Sequence, residues 1–443
     1  MNSPNFLLIL TDQHRPDWLG CEGKVPVRTP NVDALAARGT RFTQAHCPSP
    51  LCGPSRACLA AGVEYDACGV PNHKVDFDVS RPTYYRLLQA AGYHTAVVGK
   101  VDLNKCSGDW GIDGQKHLHE WGFTSGLDVA GGWDAISYGN GTPVDPYMTF
   151  LQQIGFSDVH VADFQARGNY KETYPAPMPE ESYQDHWIAA RAMDAIKALP
   201  HDQSWHLAVH FTGPHDPMDV TPQMHRWYRE PPVDFPPPSN AVGTEHDQEV
   251  RRNYAAKIET IDRWLGKFIE TISERGELEN TVIVFSADHG EMLGDRGMWM
   301  KSRPWWQSVK IPLIIAAPGE RPRVCDDPVS LIDVGATFLD FASAAPAAPM
   351  TSHSLRPALS GATGPREFVR SGLGSWRMVC DRRYKLVVGY DPAAKVTAAH
   401  EPGQSTNDSV LPMLFDIQRD PTEQHNIAAE NAEIVNRMRT RLI

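Results

Sequence analysis

The sequence contains no long apolar run. No segment approaches the roughly 20 uninterrupted apolar residues that a membrane-spanning helix needs, so no membrane partner is expected. Met1 to Pro4 lead straight into the run Phe6 to Leu10, without a basic stretch, an extended apolar region or a small-residue cleavage site; a cytoplasmic location is the expectation. Cysteine is sparse: eight in 443 residues, at 21, 47, 52, 58, 68, 106, 325 and 380, with no Cys-x-x-Cys pair and no histidine-flanked spacing. That excludes a disulfide scaffold and a zinc ribbon, and most of these residues are expected to be reduced core thiols. Excess positive charge is also absent. The 42 Lys and Arg stand against 54 Asp and Glu, a formal charge of -12, which excludes a nucleic-acid binder because phosphate contacts need a basic surface. The same charge argues against long polyanionic substrates, although a local basic pocket can override it. No repeat of solenoid period and no low-complexity tract interrupts the chain.

What is present reads as an α/β protein. Short apolar runs with the character of buried strands occur at Asn5 to Leu10, His94 to Val98, Trp205 to Phe211, Thr281 to Phe285 and Ile311 to Ala316. Helical patterns separate them, the clearest being Asn31 to Arg38, Thr83 to Ala91, a long one within Asp247 to Glu274, and Leu331 to Ala342; Gly39, Gly92 and Gly276 stand where helix C-caps belong. Such alternation predicts a large, mostly parallel central sheet covered by helices on both faces. The Ala-, Pro- and Ser-rich stretch Ala344 to Pro357 and then Ser360 to Pro365 read as a linker, followed by short strands at Met378 to Val388 and Leu411 to Phe415 and a final helix at about Ala428 to Leu442. The predicted division is 1–360 for a catalytic domain and 361–443 for a small C-terminal α+β domain. Oligomeric state is left open, with a homo-oligomer among the options.

Ligands of open α/β sheets bind outside the carboxyl ends of the strands, and several predicted strands end in polar clusters. The first runs into Thr11-Asp12-Gln13, and the strand at 281–285 runs into Ser286-Ala287-Asp288-His289-Gly290. Either cluster alone is explained by an Asp capping a turn. Together, two carboxylates, an amide oxygen and an imidazole suit one divalent cation, with the hard oxygens favouring Ca²⁺, Mg²⁺ or Mn²⁺ over zinc. A third element is Ser49-Pro50-Leu51-Cys52-Gly53-Pro54-Ser55-Arg56-Ala57-Cys58-Leu59. Pro54 suits the first turn of a helix, which puts Cys52 at or near the N-cap, where free N–H groups favour an anion. Arg56, in the same turn, is within reach of Cys52.

A lone cysteine at a helix start is usually inert. The pattern Cys52-x-Pro54-Ser55-Arg56, followed by Ala-Cys-Leu-Ala-Ala-Gly, nevertheless resembles the signature of the type I sulfatases of the alkaline phosphatase superfamily, whose cysteine is converted to formylglycine. The resemblance runs through nearly the whole chain. It takes in Asn5 to Gln13, Thr29 to Ala36, Gly92 to Thr95, Val98-Gly99-Lys100, Thr212-Gly213-Pro214-His215-Asp216-Pro217, Asp288 to Gly294 with Lys301, and Phe415-Asp416-Ile417 with Asp420, Pro421 and Asn426. Choline-sulfatase-like and phosphonate-monoester-hydrolase-like members are the most similar. One departure stands out: where most members read Gly-Lys-Trp-His, this chain reads Gly99-Lys100-Val101-Asp102. An Asp accepts a proton but cannot donate one as imidazolium does; His94 and His73 are the other candidates for the vacated role.

The resemblance implies a mechanism. Formylglycine at position 52, made by a formylglycine-generating enzyme, is hydrated to a diol with one oxygen on a metal held by Asp12, Gln13, Asp288 and His289; Ca²⁺ is the first choice, with Mn²⁺ or Mg²⁺ as alternatives. Lys100, Lys301 and the metal neutralise the sulfate of a small sulfated substrate, His215 protonates the leaving alkoxide, and Asp102 deprotonates the second hydroxyl so that sulfate is expelled. Arg56 holds the group at position 52. Trp299, Trp305 and Trp306 flank Lys301 and are candidates for an aromatic wall, although aromatic residues are more often core. A phosphonate monoester or phosphodiester hydrolase on the same site is the main alternative, and an inactive anion-binding protein with an unmodified Cys52 is the second.

Overall fold

The computed structural model describes residues 3–392 and 410–442. Its main sheet has the order β5-β4-β6-β1-β7-β8-β2-β9, built from β1 (Asn5–Asp12), β2 (Thr40–Phe42), β4 (His94–Gly99), β5 (Ser125–Asp128), β6 (Trp205–Pro214), β7 (Thr281–Ala287), β8 (Leu313–Ala316) and β9 (Arg323–Cys325). A short pair, β3 (Ala45–His46) with β10 (Val329–Ser330), lies beside it. The central strands β4, β6, β1 and β7 are mutually parallel. This is the mostly parallel architecture that the alternating pattern implies; β8 runs antiparallel to β7 and β2, and the short strands β2, β5 and β9 join the five that the sequence marks. The direction of an apolar run is invisible in its composition.

Side chains alternate across β1 as the period of a strand demands. Phe6, Leu8 and Leu10 enter one core and Leu7 and Ile9 the other; β7 divides likewise into Val282 and Val284 against Ile283 and Phe285. The second core is closed by the helices Gln184–Ala198 and Glu245–Glu274, the first by Cys52–Ala61, Tyr84–Ala90 and Asp333–Phe341. Gly92 and Gly276 adopt the positive φ of a C-cap, at 90° and 74°. Gly39 does not: it is needed because a Cβ there would come 2.6 Å from the Ile315 carbonyl oxygen.

After the helix Arg356–Leu359, a four-stranded antiparallel sheet begins, with β11 (Phe368–Leu373), β12 (Trp376–Asp381), β13 (Tyr384–Val388) and β14 (Met413–Asp416) in that order. The single strand expected over 378–388 is a hairpin turning at Arg382 and Arg383, and the last helix is shorter than expected, Ala432–Arg439. Trp376, Met378, Cys380, Val387 and Phe415 face the main core, while Val379, Leu386 and Leu414 face Val435 and Met438 of that helix. The small sheet therefore shares its inner face with the main core.

Three histidines, His14, His160 and His206, are buried against aromatic rings. His206 lies 5.3 Å from the ring of Phe338 and 5.5 Å from that of Tyr84. Burial drives its pKa down to about 3, and those of His14 and His160 to about 4. Such groups take up a proton only on unfolding, so their contribution to stability is complete above about 6.5 and is lost as pH falls toward the folded value. Denaturant unfolding between pH 6 and 4 is expected to lose stability more steeply in the wild type than in His206→Gln, the difference approaching about 1.4 kcal/mol per pH unit for one proton.

Candidate active site

Four parallel strands end along one edge of the sheet, and each delivers a polar side chain there. Asp12 closes β1, Lys100 follows β4, His215 follows β6 and Asp288 follows β7. Gly99 makes the β4 exit possible, at φ 115°, because a Cβ there would lie 1.9 Å from the His210 carbonyl oxygen. Facing this edge is the start of the helix Cys52–Ala61. Leu51 is its N-cap, so Cys52 is the first helical residue, one position further in than an N-cap, and Pro54 lies in the first turn.

The Cys52 thiol is completely buried. Its Sγ lies 3.2 Å from His289 Nε2 and 3.6 Å from Asp12 Oδ1. Asp12, Cys52, Asp288 and His289 each offer a ligand atom, all within 4.8 Å of one another. Arg56 braces the two carboxylates from behind: its Nε donates to Asp288 Oδ2 at 2.9 Å and its Nη2 to Asp12 Oδ2 at 3.2 Å. Lys100 Nζ donates to the same Asp12 oxygen at 2.5 Å. The outer carboxylate oxygens are thus occupied by cations while the Oδ1 atoms face the cluster. His289 Nδ1, 3.0 Å from the Gly290 carbonyl oxygen, is set to donate there, leaving Nε2 free to act as a ligand. Hard carboxylate oxygens with one oriented imidazole form a donor set that fits a divalent cation.

Electrostatics follow from this crowding. Burial would push the Cys52 thiol up, but Lys100, Lys301 and His289 outweigh it and hold it well below the ordinary thiol range. Burial and the neighbouring Asp12 raise the Asp288 carboxyl. His289 is raised, because Asp288 and Cys52 overcome the effect of burial; a cation bound here would take the place of that positive charge.

Asp102 and His73 approach Cys52 from another side, with ligand atoms again within 4.8 Å. Asp102 Oδ2 lies 3.4 Å from Lys105 Nζ and 3.7 Å from Lys100 Nζ, while its buried Oδ1 has no hydrogen-bond partner among the described residues. Both Asp102 and Gln13 have left-handed backbones, at φ 62° and 65°, at a cost on the order of 1 kcal/mol each. His94 is not in the site: it begins β4 and lies against Ser125 Oγ, at the opposite end of the strand.

Residues 4–344 match the family model described as Sulfatase. The chain belongs to the sulfatase family. It is 30% identical over 454 residues to the choline-sulfatase of Rhizobium meliloti (strain 1021), covering 96% of this chain and 82% of that protein. It is 26% identical over 367 residues to the arylsulfatase of Clostridium perfringens (strain 13 / Type A), covering 76% of this chain and 75% of the relative. The solved phosphonate monoester hydrolase of Agrobacterium radiobacter has the same fold, with a TM-score of 0.79 at 22% identity over 99% of this chain and 94% of that one. Like the family it belongs to, this chain is a sulfuric ester hydrolase.

In this sulfatase a cavity of about 350 Å³ opens on Lys100, Lys301 and His215. Its aromatic wall is Trp133, Tyr138, Phe164 and Tyr183, and the tryptophans near Lys301 serve packing. Trp305 lies against Phe415 and Tyr390, Arg15 sits over Trp306, and Trp299 packs on Tyr170. All four of these rings come from the segment between β5 and β6, which carries no recognisable motif. Lys105, bound to Asp102 and Asp134, is a cavity residue that the sequence pattern does not single out. Gln13 meets Lys301: its Oε1 accepts from Lys301 Nζ at 2.5 Å. Lys301 Nζ also contacts His215 Nε2, and His215 Nδ1 lies 2.6 Å from the Asp216 carbonyl oxygen.

No helix among the described residues is long and apolar enough to cross a membrane. Removing Arg56 strands two buried carboxylates. Arg56→Met is expected to lower unfolding stability by about 3 kcal/mol or more in chelator, with part of the loss recovered on adding Ca²⁺, as read by denaturant titration.

Proposed function

We propose that this chain hydrolyses a small sulfate ester to an alcohol and inorganic sulfate, with the nucleophile at position 52 after a formylglycine-generating enzyme has oxidised Cys52. The reading rests on the Cys52 thiol, buried at a helix start, ringed by Asp12, Asp288 and His289 and reached by the fields of two lysines. One divalent cation, Ca²⁺ ahead of Mn²⁺ or Mg²⁺, fits Asp12, Gln13, Asp288 and His289 together with the group at position 52. When bound, it supplies positive charge that acidifies a hydroxyl and polarises an ester.

The chain's own residues do the rest. Lys100 and Lys301 bind the sulfate oxygens and neutralise charge as it redistributes. An oxygen of the hydrated residue 52, its proton already lost to solvent, bonds to sulfur as the bond from sulfur to the ester oxygen breaks; that electron pair goes to the ester oxygen, which takes a proton from His215 Nε2. Asp216 supports the protonated ring: its carboxylate and its carbonyl oxygen both approach Nδ1, at 3.2 Å and 2.6 Å. Asp102, with one carboxylate oxygen free, accepts the proton whose loss lets residue 52 release sulfate and return to the aldehyde. The modest cavity and the net negative charge both favour a compact substrate over a polyanionic chain.

Peptide mass spectrometry over residue 52 is expected to show a species about 18 Da lighter than the thiol form, the difference between aldehyde and thiol. The same preparation is expected to turn over an aryl sulfate faster than an aryl phosphonate monoester. Faster phosphonate turnover would reassign the site to the phosphonate reaction. An unmodified thiol without turnover, from a host that modifies a control sulfatase, would sink both readings. Asp102→Asn is expected to release a burst of about one equivalent of aryl alcohol per enzyme and then slow, since only the second half-reaction needs its proton acceptance. A uniform loss without a burst would assign Asp102 to the first step instead.

A further inference from the structure

Gln13 links the cation cluster to a second, fully buried network. Its backbone N–H donates to Asp288 Oδ1 at 3.0 Å. Its side-chain Nε2 donates to Glu291 Oε2 and, at 2.8 Å, to Tyr170 Oη, and lies 3.3 Å from Asp216 Oδ1. The opposite end of the amide, Oε1, accepts from Lys301 Nζ. Glu291 itself cannot turn: its Oε1 accepts the backbone N–H groups of Leu293 and Met300 at 2.8 and 2.7 Å, and its Oε2 also accepts from Tyr170 Oη at 3.0 Å. It is wholly buried, and four donors converge on its two oxygens.

The two ends of an amide are nearly identical in shape, so neighbours alone decide which way it points. Turned over, Gln13 would set its oxygen against the carboxylates of Glu291 and Asp216 and its nitrogen against the Lys301 ammonium. The contacts with Glu291, Asp216 and Lys301 would become repulsive, and only that with the Tyr170 hydroxyl, which donates as well as accepts, would survive. The arrangement also accounts for an amide at position 13: a third carboxylate beside Asp216 and Glu291 would be repelled, whereas Gln13 offers an oxygen on one side and donors on the other.

We propose that Glu291 is a positioning residue. By holding Gln13 Nε2, it keeps the amide oxygen on Lys301, keeps in place the residue whose backbone N–H binds Asp288, and so sets the affinity of the Asp12, Cys52, Asp288 and His289 cluster for a divalent cation. The affinity part rests on the cation reading above; the orientation of the amide does not.

Exchanging the roles of the two residues tests it. In Glu291→Gln the new amide must keep its oxygen on the Leu293 and Met300 N–H groups, which turns its NH₂ toward Gln13. The Gln13 amide is then expected to flip, and Ca²⁺ affinity by calorimetry to fall about 10- to 100-fold, the usual effect of losing an outer partner of a ligand. The double variant Glu291→Gln with Gln13→Glu restores an acceptor at both ends of residue 13 with the total charge unchanged, and is expected to regain at least tenfold of any larger loss. Wild-type affinity in Glu291→Gln, or a double variant that binds no more tightly than Glu291→Gln, would overturn the proposal. A merely structural role for Glu291 predicts no such rescue.

If the wild type itself takes up no Ca²⁺, Mn²⁺ or Mg²⁺, the cation reading falls. The orientation of the amide is still decided by unfolding the same variants in chelator. Each single change is expected to lower the denaturant midpoint, and the double variant to regain at least half of the summed loss; strictly additive losses would overturn the proposal, because they mean that the two side chains are not coupled.

Discussion

Asp12 and Asp288 lie at the ends of neighbouring parallel strands, both fully buried, and they repel one another unless positive charge is kept between and behind them. Arg56 supplies that charge to both at once, through Nη2 and Nε, and Lys100 adds to it at Asp12. Much of the site depends on this compensation. A planar guanidinium can span two carboxylates where a point charge cannot. Its place in the first turn of the Cys52–Ala61 helix ties the position of Cys52 to the same two acids. The helix start, the strand ends and the cluster of Asp12, Cys52, Asp288 and His289 are therefore one electrostatic unit.

The parallel register of β4, β6, β1 and β7 makes that unit geometrically possible. Each strand of a parallel set presents its carboxyl end on the same edge, so Lys100, His215, Asp12 and Asp288 meet although 276 residues separate the first aspartate from the last. Local backbone features refine the meeting: the left-handed turns at Gln13 and Asp102 aim side chains that a regular strand would carry elsewhere. Around this edge, Glu291, Tyr170 and Asp216 form an acceptor surface for the Gln13 amide, and the sheet on which all of this rests is covered on both faces by apolar cores.

Several elements were legible in the chain because their causes are local. The strands β1, β4, β6 and β7 announce themselves as short apolar runs, and their polar endings mark the site edge. The helix after Cys52 is marked by Pro54 and by its pattern of small and apolar residues. Other features were not legible, for physical reasons that can be named. The reversed direction of β8 depends on what it pairs with and leaves no mark in its composition. The tryptophans beside Lys301 suggested an aromatic wall by proximity in sequence, but Trp305 and Trp306 are drawn to Phe415, Tyr390 and Arg15 instead. The wall itself comes from Trp133, Tyr138, Phe164 and Tyr183, whose segment carries no motif signal.

The amino-acid sequence by itself determined the class of fold and membership of the sulfatase family, and it pointed to Asp12, Cys52, Asp288 and His289, whose ligand atoms lie within 4.8 Å of one another, because each depends on short-range pattern: apolar periodicity, helix-start chemistry and acid residues at strand ends. Only the tertiary structure decided which Arg56 nitrogen donates to which carboxylate, which end of the Gln13 amide meets Lys301, and which aromatic rings line the cavity. Those are matters of distance and orientation between segments far apart in the chain, and no local pattern encodes them.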